Sequence, residues 1–123
     1  MDSANFPLFE AYPRLGERVA RLSIGNWPTP VVPVPHFGAA HGLPRLLIKR
    51  EDLSHPICGG NKVRGLEFLL AAAQASGAKA ILTLGAAGSH HVARTAWHAA
   101  QIGLATTAVL LRQPMAEYVR RNL

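Results

Sequence analysis

The sequence predicts an α/β protein: a parallel sheet with flanking helices in three layers, entered through a proline-rich arm. Three observations point there. From Leu46 onward, apolar runs of strand length alternate with helix-length segments, the order that builds a parallel sheet with right-handed crossovers. Before Leu53, Pro7, Pro13, Pro28, Pro30, Pro33, Pro35 and Pro44 deny the chain long helices. The 123 residues, 49% of them hydrophobic, suffice for one compact module but not for a two-domain enzyme.

The arm covers residues 1–53 and includes the first strand. Its one stretch free of proline and helical in pattern is Leu15 to Leu22. Pro28-Thr29-Pro30 and Pro33-Val34-Pro35 favour extended backbone; the PxxP spacing of Pro30 and Pro33 also suits a polyproline ligand, but the valines between them fit a packed strand better. Leu46 to Lys49 is an apolar strand, followed by the charged loop Arg50-Glu51-Asp52-Leu53.

Residues 54–123 read as one α/β unit without a linker, on which the arm either packs or from which it stands apart in a second domain. Pro56 and Gly59-Gly60 keep the backbone open up to Asn61, an expected N-cap. Val63 to Ala75 is a helix with Val63, Leu66, Leu70 and Ala73 on one stripe. Phe68, Leu69 and Ala72 widen that stripe into a mostly buried helix, and Gly77 ends it. A strand, Ala80 to Leu84, leads through the small-residue turn Gly85–Ser89 to a helix, His90 to Ile102, stopped by Gly103. Thr106 to Leu111 is the next strand, and Met115 to Leu123 opens a further helix.

Charge and composition exclude several classes. The net charge of +6 and pI near 10.5 raise nucleic-acid binding, but the Lys and Arg residues are scattered over separate segments. That scatter fits a solvated basic surface or a cleft for an anionic ligand. A single cysteine, Cys58, excludes an internal disulfide and suits a reducing compartment. Asp2 near the start and the lack of a long apolar run give no signal for export or membrane insertion, so a cytoplasmic protein is expected. No metal is expected: His36, His41, His55, His90, His91 and His98 lack Cys or carboxylate neighbours at ligand spacing, and Arg94 sits between His91 and His98 on one helical face. Without an identifiable base, Cys58 reads as a packed residue.

Two segments carry chemistry. Gly59-Gly60-Asn61-Lys62 delivers a lysine to the first turn of a helix, where the dipole disfavours a cation. The dipole and partial burial together favour a neutral, nucleophilic amine able to form an imine, and the glycines let a ring approach the backbone. An exposed lysine with no such role fits the residues equally well. The second segment, Gly85-Ala86-Ala87-Gly88-Ser89, opens a helix after a parallel strand and so presents N–H groups to a carboxylate or phosphate. It lacks the lysine of a triphosphate loop and the third glycine of a dinucleotide loop, and Ser89 suits an N-cap in either case.

Pro28-Thr29-Pro30, Ile48-Lys49-Arg50-Glu51-Asp52-Leu53, Gly59-Gly60-Asn61-Lys62-Val63-Arg64 and Leu66-Glu67-Phe68-Leu69-Leu70 resemble the 1-aminocyclopropane-1-carboxylate deaminase and D-cysteine desulfhydrase family. The resemblance continues through Thr83 to His91 and Thr95 to Gly103, covering most of the chain from about Trp27. It implies the tryptophan-synthase-β-like fold type II, in which two α/β domains hold pyridoxal 5'-phosphate in the cleft between them. Residues 1–53 would then belong to the larger domain and 54–123 to a truncated smaller one.

The resemblance also assigns roles. Lys62 looks like the Schiff-base lysine, which also moves protons at the substrate. Ser89 is similar to the family serine near the substrate carboxylate, with His91 beside it and Asn61 toward the cofactor. The family usually has Ser-Asn-His or Ser-Asn-Gln where this chain has Ser89-His90-His91. His90 thus stands where an asparagine contacts the cofactor's phenolic oxygen, and it could donate the same bond or mark altered specificity. The implied substrate is a small amino acid: D-cysteine undergoing β-elimination to pyruvate, ammonia and sulfide, or the cyclopropane amino acid undergoing deaminating ring opening. A homodimer is implied for the full-length form. The family's glycine-rich phosphate loop, the group facing the pyridine nitrogen and the substrate aromatics lie beyond the stretch matched here, so the chain resembles about the first third of a member. A non-catalytic remnant or interaction subunit is the alternative.

Overall fold

The computed structural model describes residues 6–122; Asp2 and Leu123 lie outside the described residues. In the arm, prolines leave only short α-helices, and they start each of them. The short helices α1 (Pro7–Ala11) and α2 (Pro13–Gly16) each begin on a proline, as does α3 (Pro35–Ala40), which follows strand β1 (Val31–Pro33). At the first helical position the proline ring has the right φ, and the N–H it lacks would have no helical partner. The helix expected at Leu15 to Leu22 does not form, because α2 ends at Gly16. Beyond it the chain runs extended along another helix: Leu22 N donates to Glu67 O at 2.9 Å, and Ile24 N and Gly25 N each donate to the Glu67 carboxylate at 3.0 Å.

Strand β2 (Leu47–Lys49) lies where the apolar run predicts it, but outside the parallel sheet that the order of elements suggested. It pairs antiparallel with β1, Val31 opposite Lys49 and Pro33 opposite Leu47. Arg50 N donating to Pro30 O and Val34 N donating to Leu46 O extend that ladder at both ends, so the proline arm occupies the strand's bonding edge. A 3-10 turn, Glu51–Ser54, follows.

The α/β unit then runs α4 (Lys62–Ala75), β3 (Ala80–Ala86), α5 (His90–Gln101), β4 (Ala105–Leu111) and α6 (Glu117–Arg120). Strands β3 and β4 pair in parallel, from Ala80 opposite Ala105 to Ala86 opposite Leu111, with α5 as the crossover. The α/β class and the parallel sheet therefore stand. Helix α5 packs on the sheet and α4 packs on α5. Leu66, Leu70, Ala99 and Leu104 form the core, with Leu22, Ile24, Ile81 and Ile102 against it. Gly77, at φ +75°, ends α4 in the left-handed region that glycine tolerates best. On the face of the sheet shared by Leu82, Leu84, Val109 and Leu111, these apolar side chains are exposed.

Helix α4 is less buried than its pattern suggests. Leu69 is 62% exposed, whereas Glu67 is 1% exposed. Besides the two arm amides, the Glu67 carboxylate accepts from Arg21 Nε and Trp27 Nε1, both at 2.8 Å. A buried charge survives only when paired and fully hydrogen-bonded, and Glu67 is both. One turn earlier, Arg64 donates to Glu51 from Nε at 2.7 Å and Nη2 at 2.8 Å, with its guanidinium 4.0 Å above the Trp27 ring. That fork, with the Thr29 hydroxyl donating to Glu51 at 2.6 Å, holds the Glu51 carboxyl down at about 2. The arm is thus tied to the first two turns of α4 by carboxylates.

Candidate active site

Lys62 is the first residue of α4 and is exposed, so the partial burial expected of it is not found. Asn61 does not cap the helix with its side chain: its φ of −61° and ψ of −21° are already helical, which aims the amide away from the first-turn N–H groups. The turn closes instead through Val63 N donating to Gly60 O at 3.1 Å. Asn61 and Lys62 face an open cavity of about 540 Å³. Ser89 and His91, from the start of α5, line the same cavity, with Leu69 and Leu84 as apolar wall.

Ser89 is the N-cap of α5, in extended conformation, its Oγ accepting from Val92 N at 3.4 Å. The turn before it is tight. A Cβ on Gly85 would lie 2.7 Å from Val92 Cγ2 and 2.9 Å from Ser89 Oγ, so glycine is what lets the turn fold back on the helix it opens. His91 is half buried and its Nδ1 is shielded without a hydrogen-bond partner, as is Thr95 Oγ1 one turn on. Buried polar atoms are normally satisfied, so an unpaired one on a cavity wall is suited to a ligand that supplies the bond.

His90 does not line the cavity. Its Nδ1 lies 2.6 Å from Arg94 Nη1. Arginine has no acceptor, so Nδ1 accepts and the ring proton belongs on Nε2, which lies 3.4 Å from Asn122 Nδ2. The structure thus brings Asn61, Lys62, Ser89 and His91 together and turns His90 toward Arg94 and Asn122.

The segment between the 3-10 turn and Lys62 is held by side chains that the sequence did not single out for it. His55 Nδ1 accepts from Ile57 N at 3.2 Å and Cys58 N at 3.1 Å. Ser54 Oγ, fully buried, accepts from Gly60 N at 2.9 Å and donates to Gly60 O at 3.1 Å. Arg94 Nε donates to Gly59 O, and His98 Nε2 lies 3.1 Å from Cys58 O. Burial keeps the His98 imidazole below its ordinary value and pushes the Cys58 thiol up, away from the thiolate a nucleophile needs. The adjacent glycines answer to this packing: a Cβ on Gly59 would meet Asp52 O at 2.3 Å, and one on Gly60, at φ +136°, would meet Arg94 Nε at 2.7 Å. The signal for Arg94 and His98 was their i, i+4 spacing on one face of α5.

An exposed amine at one helix start and a capped turn at another lie across one open cavity of an α/β unit, an arrangement chemically suited to a small anionic ligand with a group for the amine to hold. Residues 22–121 match the family described as pyridoxal-phosphate dependent enzymes, and the chain belongs to that family, whose cofactor is pyridoxal phosphate. It is similar to a nocardicin C-9' epimerase of Nocardia uniformis subsp. tsuyamanensis, 53% identical over 79 residues, covering 64% of this chain and 24% of the epimerase. It is also similar to the crystal structure of an ACC deaminase homologue, with a TM-score of 0.74 and 35% identity, covering 86% of this chain and 31% of that one. The chain therefore spans less than a third of either relative. The residues fit the cofactor: the Lys62 amine is accessible, and the His91 Nδ1 atom on the same cavity lacks a partner. Among the described residues no helix is long and apolar enough to cross a membrane.

Proposed function

We propose that this chain carries the lysine-bearing part of a pyridoxal-phosphate-dependent lyase or deaminase acting on a small amino acid. The observation that supports it is the convergence of Lys62, Ser89 and His91 on one cavity. When bound, pyridoxal phosphate supplies an electron sink for bonds at the substrate's α-carbon. Lys62 holds the cofactor through its amine and moves a proton at the substrate carbon. Ser89 and the N–H groups that open α5 receive the substrate carboxylate, as a helix start favours an anion. His91 Nδ1 takes a hydrogen bond from the ligand, and Asn61 orients the cofactor beside Lys62. The remaining cofactor contacts belong to the part of the fold that the relatives possess beyond this stretch, so the chain alone turns over slowly.

A second reading, epimerisation at the α-carbon, draws on the 53% identity to an epimerase over 79 residues. It needs the same lysine but returns the proton instead of expelling a leaving group. D-cysteine incubated in deuterated water with the cofactor-loaded chain separates the two. Sulfide and pyruvate mark elimination, while L-cysteine deuterated at its α-carbon without sulfide marks epimerisation. Either signal should exceed that of Lys62→Ala; turnover equal to Lys62→Ala would point to a non-catalytic remnant.

A further inference from the structure

The cavity's two sides are set by one helix. Ser89 and His91, at the start of α5, line it directly. About one and two turns further along the same helix, Arg94 and His98 reach the carbonyls of Gly59 and Cys58 in the segment that leads into α4. Gly60 follows at once, and its own carbonyl accepts from Val63 N to start the α4 turn that carries Lys62. We propose that Arg94 and His98 are positioning residues for Lys62, holding Gly59 O and Cys58 O so that α4 starts where its lysine faces Ser89.

This rests on the reading of Lys62 given above, and its physical basis is local. Buried carbonyls need donors, and a segment with two glycines has the freedom to find others unless they are supplied. Cys58 O can only accept, so His98 Nε2 carries the proton. His98 is 1% exposed and packs edge-on against His55 and Trp97, with ring centroids 5.1 and 4.8 Å away, so its ring cannot swing off the carbonyl without opening the core. Arg94 supplies a charge-assisted bond to the next carbonyl and fills the space beside Gly60 that any larger residue would need. The clamp therefore fixes both the direction and the origin of α4. A displacement of about 1 Å at a reacting group costs on the order of 100-fold in rate, which is the sensitivity such positioning serves.

The test compares the wild-type chain with His98→Leu, His98→Gln, Arg94→Met and Arg94→Lys in two measurements. Amide hydrogen exchange over Gly59 to Val63, without cofactor, reads the clamp itself. Borohydride trapping of pyridoxal phosphate at Lys62, counted against exposed Lys79 in the same molecule, reads its consequence. Expected are faster exchange in His98→Leu and Arg94→Met with β3 and β4 unchanged, and at least about a tenfold drop in Lys62 trapping relative to Lys79. His98→Gln and Arg94→Lys, which keep a donor for the same carbonyls, should recover most of both. The proposal is overturned if Arg94→Met, in which a half-buried side chain is replaced and the core is left intact, traps Lys62 as well as wild type. It is equally overturned if the donor-keeping variants lose as much as the others. If the wild-type chain itself shows no preference for Lys62, the functional reading fails, while the exchange data still decide for or against the clamp.

Discussion

The turns that open α4 and α5 face the same cavity but are held by different means. The one before α5 is secured mainly by backbone: Ser89 N donates to Ala86 O at 2.8 Å, Ala87 N donates to Leu111 O at 2.9 Å on the paired strand, and Ser89 caps its own helix, with Asn122 Nδ2 alone reaching in from afar to Gly88 O at 3.1 Å. The one before α4 is secured by side chains, His55 and Ser54 from within the segment and Arg94 and His98 from α5. An anion site needs only N–H groups at a helix start, which local structure provides. A lysine that must meet a partner across a cavity needs its helix placed, and long-range contacts do that.

If distant contacts place α4, removing one should cost more than removing a local one. The largest effect is expected for Glu67→Ala, which leaves Arg21 and the arm's N–H groups facing an empty buried site. Breaking a buried pair this way costs about 3–5 kcal/mol, read as a fall in the urea midpoint at constant slope. Gly59→Ala comes next, since its Cβ would strike the backbone carbonyl of Asp52, which cannot yield as a side-chain tip can. A loss of about 1–3 kcal/mol is expected by the same assay, and neutrality would show that the segment is looser than described. Ser89→Ala should cost only about 0.5–1 kcal/mol, the lower part of the capping range, because the 3.4 Å bond to Val92 N is long.

The smallest effect is a separation in pH. The His98 value is lowered from 6.5 in the folded chain, so its contribution is complete above 6.5 and is lost as pH falls through the folded value. Glu51, lowered from 4.5 to about 2, contributes fully above 4.5 and loses that contribution as pH falls toward about 2. As pH falls from 6.5 toward 4.5, protection from hydrogen exchange, taken relative to the intrinsic rate at each pH, should therefore decline around Cys58 to Val63 before the Arg64–Glu51 tie weakens. Simultaneous loosening would deny that the two regions are held independently.

What the sequence revealed follows the same division. The ends of β3, α5 and β4 lie within a residue or two of the periodicity that predicts them, because caps, glycine stops and apolar spacing are local. The Ser89 cap was legible for that reason. Glu67 was not, since a glutamate in a helix ordinarily faces water, and only the arm folded across α4 makes a buried carboxylate tolerable. Where a helix was expected at Leu15 to Leu22, α2 ends at Gly16 and the chain beyond it bonds to Glu67, Leu22 N at its backbone oxygen and Ile24 N and Gly25 N at its carboxylate. The prolines of the arm do deny it long helices, but the short helices that they start follow from a first-position preference that the reading did not use. The partner of β2 depended on an arm whose path no spacing records. Asn61 looked like a cap by residue type, but the backbone had already entered the helix there.

On the proposed function, the Lys62 amine, and not merely some amine, is presented for the cofactor. The chain holds its own control, because exposed Lys79 condenses with aldehydes without a site around it. Titrating pyridoxal phosphate, reducing with borohydride and mapping the labelled peptides gives an occupancy curve for each lysine. Labelling of Lys62 is expected to be saturable at cofactor concentrations where Lys79 is scarcely touched. Matching curves for the two lysines, or a saturable site that persists in Lys62→Ala, would contradict it.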